Sequence, residues 1–383
     1  VTHRERTRRV RVGKVEIGAG APVVVQSMTI TDTRDVDGTL AQIYALASEG
    51  CEIARLAVPD AEAAAALGAI KPRSPLPIVA DIHFDHRLAL KSLEAGIDKL
   101  RINPGNIGSR ERTRIVAREA KARGVPIRIG ANIGSLSKAT LRKFGKPCAE
   151  ALVESAMEDV EVLEDLEFHD IVISVKASDV PMMIAAYTMI ADRVNYPLHV
   201  GVTEAGTAWA GGLKSAVGIG TVLAKGIGDT IRVSLAADPV EEVRAAYEIL
   251  KSLGLRTRGV QFVACPSCGR AEVDIIQIAQ DVEQRLRHIP APVKVAVMGC
   301  AVNGPGEARM SDLGIACGRG MGLIFQDGKI VASLPEDKLI DGLMAHVWRV
   351  AQERYGVTPP DGAAAEAPSA EVPLAAGAKA GSP

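Results

Sequence analysis

Eight short runs of β-forming residues recur between residues 22 and 237, and a helix-forming stretch follows nearly every one. The runs are PVVVQSM, EIARLAV, PIVADIHF, KLRINPG, PIRIGAN, IVISVKAS, LHVGVTEAG and TIRVSLAA. Stretches such as TLAQIYALASEG, RERTRIVAREAKARG and VEEVRAAYEILKSLG separate them. Alternation at this spacing argues for parallel strands joined by crossover helices. Eight such units over roughly 230 residues match a (β/α)8 barrel. An open doubly wound sheet usually has fewer strands and carries a dinucleotide fingerprint after the first one. Gly218-Ile219-Gly220 only partly matches that fingerprint and sits inside a helical stretch. The expected fold is therefore α/β, with an N-terminal TIM-type barrel over residues 1–255.

Beyond about residue 255 the pattern changes. GVQFVAC and VKVAVMGC read as strands and DIIQIAQDVEQRLRHI as a helix. A glycine-rich stretch with a hairpin, GLIFQDGKIVASL, and a helix, EDKLIDGLMAHVWRVAQERYG, complete a smaller α/β domain over 256–357. From Thr358 the chain turns to Ala, Pro and Gly, a composition that builds no core, so 358–383 is expected to be a disordered tail. At the other end, Val10, Val12, Val15 and Ile17 alternate with polar residues around Gly13-Lys14, which predicts a small hairpin.

Lys and Arg total 45 against 46 Asp and Glu, so no global field draws the chain to nucleic acid or membrane. Aromatics make up 3%, too few for base-stacking platforms. No apolar run reaches the roughly 18 residues of a membrane span. Six cysteines in 383 residues do not make a secreted disulfide scaffold. Grouped cysteines in a reducing compartment more often hold metal, and a cytoplasmic location is expected.

Charge is concentrated in the barrel strands. Residues two apart on a strand share a face. Such pairs are Arg101 with Asn103, Arg128 with Asn132 two steps on, Asp81 with His83, Ser174 with Lys176, and Arg232 with Ser234, while Arg55 lies in the second strand. All fall toward the strands' C-terminal ends, where barrel enzymes place their sites. Five cations on five strands repel one another unless a strongly anionic ligand is present. Arginine grips phosphate oxygens as a fork and lysine adds a point charge, so a substrate with two phosphates fits. Asp81 and Glu204 are the expected offsetting carboxylates, and Glu204, just after the seventh strand, is a candidate proton donor or acceptor.

Cys265-Pro266-Ser267-Cys268 follows a strand directly, and Cys300 ends the next one. If those strands are neighbours, three sulfurs converge at one sheet end, a set that suits zinc or an iron–sulfur cube. Cys317 and Glu307 are the candidates for a fourth ligand. With Cys317 the site is closed, either structural or electron-relaying. With Glu307, a hard oxygen ligand holds one iron more loosely. Gly304-Pro305-Gly306 lets the chain fold back from Cys300 toward Glu307, which favours the second arrangement.

ACPSCGR at 264–270 and GCAVNGPGEA at 299–308 closely resemble the cluster motifs of the 4-hydroxy-3-methylbut-2-enyl diphosphate synthase family of the non-mevalonate isoprenoid pathway. VQSMT, VADIHFD, LRINPGNIG, SVKASD, TEAG and RVSLAADPVEE extend the resemblance over residues 5–357. It implies a barrel followed by a reductase-like [4Fe–4S] domain in the compact two-domain form. It implies Cys265, Cys268, Cys300 and Glu307 as cluster ligands. Substrate contacts are implied at Arg55, Arg101, Asn103, Arg128, Asn132, Lys176, Arg232 and Ser234, beside Asp81, and the acid at Glu204. It further implies a cyclic diphosphate substrate, ferredoxin or flavodoxin as electron donor, and a head-to-tail homodimer. Cys51, Cys148 and Cys317 fall outside its ligand motifs and read as structural. Two rival expectations stand beside it. One is a zinc-stabilised barrel transferase or hydrolase acting on a phosphorylated metabolite; the other is a nucleic-acid-binding protein, disfavoured by the balanced charge.

Overall fold

In this computed structural model, which describes residues 1–359 apart from 84, 103–106, 108–109, 137, 269, 272, 301–305 and 307–309, all eight β-type runs form strands. They are preceded by the expected hairpin, in which β1 (Val10–Val12) pairs antiparallel with β2 (Val15–Ile17). Gly13 turns it at a φ of +55°, and a Cβ there would lie 2.8 Å from Asp98 Oδ1, so only glycine fits.

The barrel strands are β3 (Val24–Met28), β4 (Ile53–Val58), β5 (Ile78–Ile82), β6 (Lys99–Ile102), β7 (Ile127–Asn132), β8 (Ile171–Lys176), β9 (His199–Val200) and β10 (Thr230–Ile231). Their order is β8-β7-β6-β5-β4-β3-β10-β9, every neighbouring pair is parallel, and a parallel bridge from Ile173 to Leu198 joins the two edges. The sheet is thus closed on itself. A helix follows each strand, and five of these helices open on an aspartate whose carboxylate accepts a backbone N–H of the first turn: Asp35, Asp60, Asp85, Asp179 and Asp238. Each such cap is worth about 1 kcal/mol and ends the preceding loop sharply.

The period-two alternation of the strands divides the barrel interior into layers. At one end Val24, Ile53 and Val79 pack against Val12 and Ile17 of the hairpin as an apolar floor. Above it every inward position is polar or glycine on most strands, and the site is built there. The apolar outward faces pack on the helices in one continuous core.

The chain divides into two compact units, Val1–Arg256 and Thr257–Pro383. The second holds a five-stranded sheet in sequential order: β11 (Gln261–Ala264), β12 (Lys294–Met298), β13 (Leu313–Gly318), β14 (Met321–Gln326) and β15 (Lys329–Pro335). The first three strands are parallel, and β14 and β15 add on antiparallel. The β14–β15 turn uses Asp327-Gly328 at φ +50° and +76°, the conformation that an Asp-Gly pair takes most readily in a two-residue hairpin. Helices Ile275–Leu286 and Glu336–Tyr355 contribute to the core of this unit. The expected tail lies almost wholly outside the described residues. Among the described residues no helix is long and apolar enough to cross a membrane.

Candidate functional site

Alternation along five neighbouring strands brings most of the predicted cations to one interior. Arg55 comes from β4, Asp81 from β5, Arg101 from β6, Arg128 from β7 and Lys176 from β8, and Arg232 follows β10 directly. Arg101 Nη1 donates to Asp81 Oδ1 at 3.0 Å, and Arg55 Nε lies 3.6 Å from Asp81 Oδ2 while donating to Met28 Sδ at 3.0 Å. His83 Nε2 sits 2.9 Å from Arg101 Nη1 and 3.4 Å from Asp81 Oδ2. One carboxylate therefore serves two guanidiniums and an imidazole. Burial pushes the Asp81 carboxyl up, but Arg55, the His83 hydrogen bond and Arg101 outweigh it and hold it well below the usual carboxylate range.

Arg232 has a carboxylate of its own. Its Nε and Nη2 make a fork onto Glu242 at 3.1 and 2.9 Å, and Glu242 also accepts from Ser27 Oγ and the Leu235 N–H. This corrects the expectation for Glu204. Glu204 is exposed, at a φ of +52°, and the second carboxylate that offsets the barrel cations is Glu242. Strand β9 stops at Val200, so alternation does not extend to Glu204, and the left-handed backbone there re-aims its side chain. Glutamate in that conformation is strained, and strain of this kind collects at functional loops.

The remaining cations have less compensation. Arg128 is 1% exposed, and its Nε and Nη1, like Arg101 Nε, have no hydrogen-bond partner among the described residues. Burial, reinforced by Arg55 and Arg101, lowers its guanidinium pKa well below the ordinary value. Burial likewise pulls Arg55 down to about 10, with Asp81 opposing. Burial, then Arg128 and Arg55, lowers the Lys176 ammonium. Guanidinium does not deprotonate in proteins. The direction of the shift instead reflects buried like charges, which an anion would relieve. Two glycines make room for these side chains: a Cβ at Gly130 would lie 2.9 Å from Arg101 Nε, and one at Gly201 would lie 2.8 Å from Lys176 Nζ.

Ser234 and Asn132 are half-buried at the rim, and Ser174 Oγ, next to the lysine, donates to the Ile129 carbonyl at 3.3 Å. Asn103 lies outside the described residues. Sequence reasoning missed a deeper layer made of Lys99, Gln26 and His199. Alternation could have found it, because Lys99 is two before Arg101 and His199 two before Gly201. It also missed Glu242, which stands on a helix where its charge reads as solvated surface.

In the second unit, β11 and β12 are parallel neighbours, so Cys265 and Cys300 leave adjacent strand ends. The Cys265 N–H donates to the Val297 carbonyl at 3.0 Å, and the Gly299 N–H donates to Cys265 Sγ at 3.2 Å. Cys300 is half-buried and Cys268 exposed, with hydrogen bonds from the Arg270 backbone and side chain lowering the Cys268 thiol pKa. Cys317, on β13, is 2% exposed within the core, and burial, with Glu336 and Cys265 adding, pushes its thiol up to about 12. Ligation needs thiolate, which the Arg270 hydrogen bonds favour at Cys268 and burial disfavours at Cys317. Glu307 lies outside the described residues, and among those described no three His, Cys, Asp or Glu side chains are gathered as a metal site. Cys265 and Cys300 are brought to neighbouring positions by the sheet; Cys268 projects from the loop between β11 and the next helix.

Comparison with known proteins covers both units. Residues 7–247 match the family model described as GcpE TIM-barrel domain, and residues 261–349 match that described as GcpE protein C-terminal domain. The 4-hydroxy-3-methylbut-2-en-1-yl diphosphate synthase (flavodoxin) of Geobacter sulfurreducens is 58% identical over 91% of this chain and 99% of its own. The proteins of the same name from Geobacillus thermodenitrificans and Bacillus subtilis are 55% and 54% identical, each over 93% of this chain and over 95% and 94% of their own. Among solved structures, Yersinia pestis dihydropteroate synthase aligns over 64% of this chain and 98% of its own, at 12% identity and a TM-score of 0.47, a likeness too loose to bear on function.

Proposed function

The chain belongs to the GcpE family, whose two domain models it matches in order, and from that premise we infer that it is a 4-hydroxy-3-methylbut-2-enyl diphosphate synthase. It is an oxidoreductase of isoprenoid biosynthesis. It opens the ring of 2-C-methyl-D-erythritol 2,4-cyclodiphosphate reductively, taking up electrons and protons and releasing water, to give the linear allylic diphosphate. The names of its relatives support flavodoxin as the electron donor. Nothing in them supports the zinc-stabilised transferase or hydrolase.

The observation that carries the assignment of the site is Arg128. A guanidinium buried to 1% exposure, with Nε and Nη1 unpartnered among the described residues, calls for an anion beside it. A diphosphate supplies the acceptor oxygens in number. Arg55, Arg101, Arg128, Lys176 and Arg232 would bind it, with Asn103, Asn132 and Ser234 closing around the carbon skeleton. Asp81 would hold Arg55 and Arg101 in place, as Glu242 does for Arg232. Glu204, exposed on its strained turn, would deliver a proton to the opening ring.

Cys265, Cys268, Cys300 and Glu307 would hold a [4Fe–4S] cluster, and Cys317 would stay in the core. When bound, the cluster supplies electrons one at a time at low potential. A carboxylate at Glu307, harder and more exchangeable than thiolate, would leave one coordination position open to substrate oxygen. The barrel unit would bind substrate and the second unit the cluster. We place the protein in the cytoplasm, where thiolate ligands stay reduced, and read it as a homodimer. Mixed dimers of an arginine-deficient and a cluster-deficient chain would regain activity if the two sites are shared between subunits, and stay inactive if they are not.

The test of this reading is metal and sulfide analysis of anaerobically purified protein. About four iron and four sulfide per chain, with a brown colour, is the expected result. A colourless protein holding zinc would restore the zinc-stabilised barrel in its place.

A further inference from the structure

Beneath the arginines lies a second polar layer that substrate contacts do not explain. Lys99 precedes Arg101 by two residues on β6, which puts it one layer deeper, about 7 Å further down the strand. It is 0% exposed, and its one hydrogen bond among the described residues is a long one, 3.5 Å from Nζ to Gln26 Oε1. Gln26 Nε2 has no partner among the described residues. His199 is equally buried. Its Nδ1 lies 3.4 Å from Thr230 Oγ1, and its Nε2 is unpartnered among the described residues.

The charges facing this layer share one sign. Arg55 and Arg128 bear on Lys99, and Lys176 joins them in bearing on His199. No carboxylate among the described residues reaches Lys99 by hydrogen bond or ion pair; Asp81 is engaged one layer up with Arg55 and Arg101. Burial, followed by Arg128 and Arg55, holds the lysine well below its ordinary value, and burial does the same to the imidazole. Arginine cannot relieve the crowding by losing its proton, whereas lysine can.

We propose that Lys99 is a positioning residue beneath the diphosphate site, uncharged under an empty pocket and protonated from solvent as an anion fills the pocket above. Two or three ligand charges at that separation, inside a protein, shift such an equilibrium by orders of magnitude. The newly formed ammonium then draws the anion down onto Arg128 and Arg101. The proposal rests on the diphosphate site described above, and it adds a proton whose uptake accompanies binding rather than chemistry.

Calorimetry of inorganic pyrophosphate binding, in buffers of different ionisation enthalpy near pH 8, measures that proton. The wild-type protein is compared with Lys99→Met, whose apolar side chain of similar length suits a buried position. The difference cancels the ligand's own ionisation and any share taken by Lys176. The expected result is up to about one more proton taken up by wild type, with its association constant falling more steeply with pH by up to about tenfold per unit. Equal uptake in both proteins overturns the proposal while leaving the diphosphate site standing. Absence of binding in wild type removes both. Should Lys99→Met not fold, ε-13C NMR of lysine-labelled wild type reads the same event. An ε-carbon resonance passing from the neutral to the charged position on adding pyrophosphate, and persisting in Lys176→Met, supports it; no such resonance contradicts it.

Discussion

Asp81 Oδ1 accepts a hydrogen bond from Arg101 Nη1 at 3.0 Å, and both side chains are at most 6% exposed. Because Arg55 leans on the same carboxylate from the other side, Asp81 is the local counter-charge on which two neighbouring strands depend. Removing it leaves two buried cations together. Asp81→Asn is expected to destabilise the barrel by about 3–5 kcal/mol at neutral pH. The carboxyl is depressed in the folded state, so its contribution is complete above the unfolded value near 4 and is lost only as pH falls below it. Urea unfolding of both proteins at pH 7 and pH 3.5 checks this; an unchanged midpoint at pH 7 contradicts it.

Asp229 should behave in the opposite sense. It is buried near the N-terminal segment, accepting from Thr7 Oγ1 at 2.9 Å and the Leu198 N–H at 2.8 Å, yet burial raises its pKa to about 6. A carboxyl raised in the folded state loses stability as pH climbs from its unfolded value near 4 to about 6. Relative to wild type, Asp229→Asn should therefore gain up to about 2–3 kcal/mol between pH 4 and pH 7. A pH-independent difference would show that the folded-state carboxyl is not raised.

Gly201→Ala tests how tightly the cations are housed. Its Cβ would lie 2.6 Å from the Arg232 carbonyl and 2.8 Å from Lys176 Nζ. The backbone oxygen cannot step aside as a side-chain tip can, so both Arg232 and Lys176 shift. A loss of about 100-fold in kcat/KM is expected. Steady-state kinetics indistinguishable from wild type would place Lys176 away from the substrate.

At Glu204 stability and activity should part. Glu204→Gly relieves a left-handed glutamate and is expected to add about 1 kcal/mol of stability. Both Glu204→Gly and Glu204→Gln should lower kcat by about 10²–10⁴-fold, with little change in KM for the glutamine variant. Near-wild-type turnover of Glu204→Gln would remove it as the proton donor.

Cys317→Ser should keep its iron and sulfide while costing about 1–3 kcal/mol for a hydroxyl buried in the core of β13. Glu307→Ala, by contrast, should leave a labile cluster and no turnover. Loss of iron from Cys317→Ser would reverse the ligand assignment.

The barrel was legible because β-type runs and helical stretches alternate eight times. Arg101, Arg128 and Lys176 were legible as a charged interior from period-two spacing alone. That spacing failed beyond β9, which is two residues long, so the direction of Glu204 could not be read from LHVGVTEAG. Glu242 was invisible because a pair between a strand end and the helix that follows it, 10 residues apart in the chain, leaves no period-two pattern. Cys317 could be weighed but not placed, since the strand that buries it, LGIACG, was taken as part of a glycine-rich stretch.

Reductive ring opening of a cyclic diphosphate by this protein is tested most directly by incubating anaerobically purified, iron-loaded protein with 2-C-methyl-D-erythritol 2,4-cyclodiphosphate and reduced flavodoxin, and identifying the product by mass spectrometry. The expected result is the linear 4-hydroxy-3-methylbut-2-enyl diphosphate, formed by the wild type and lost in Arg128→Met. Unchanged cyclodiphosphate in the presence of fully loaded protein and reduced donor would contradict it.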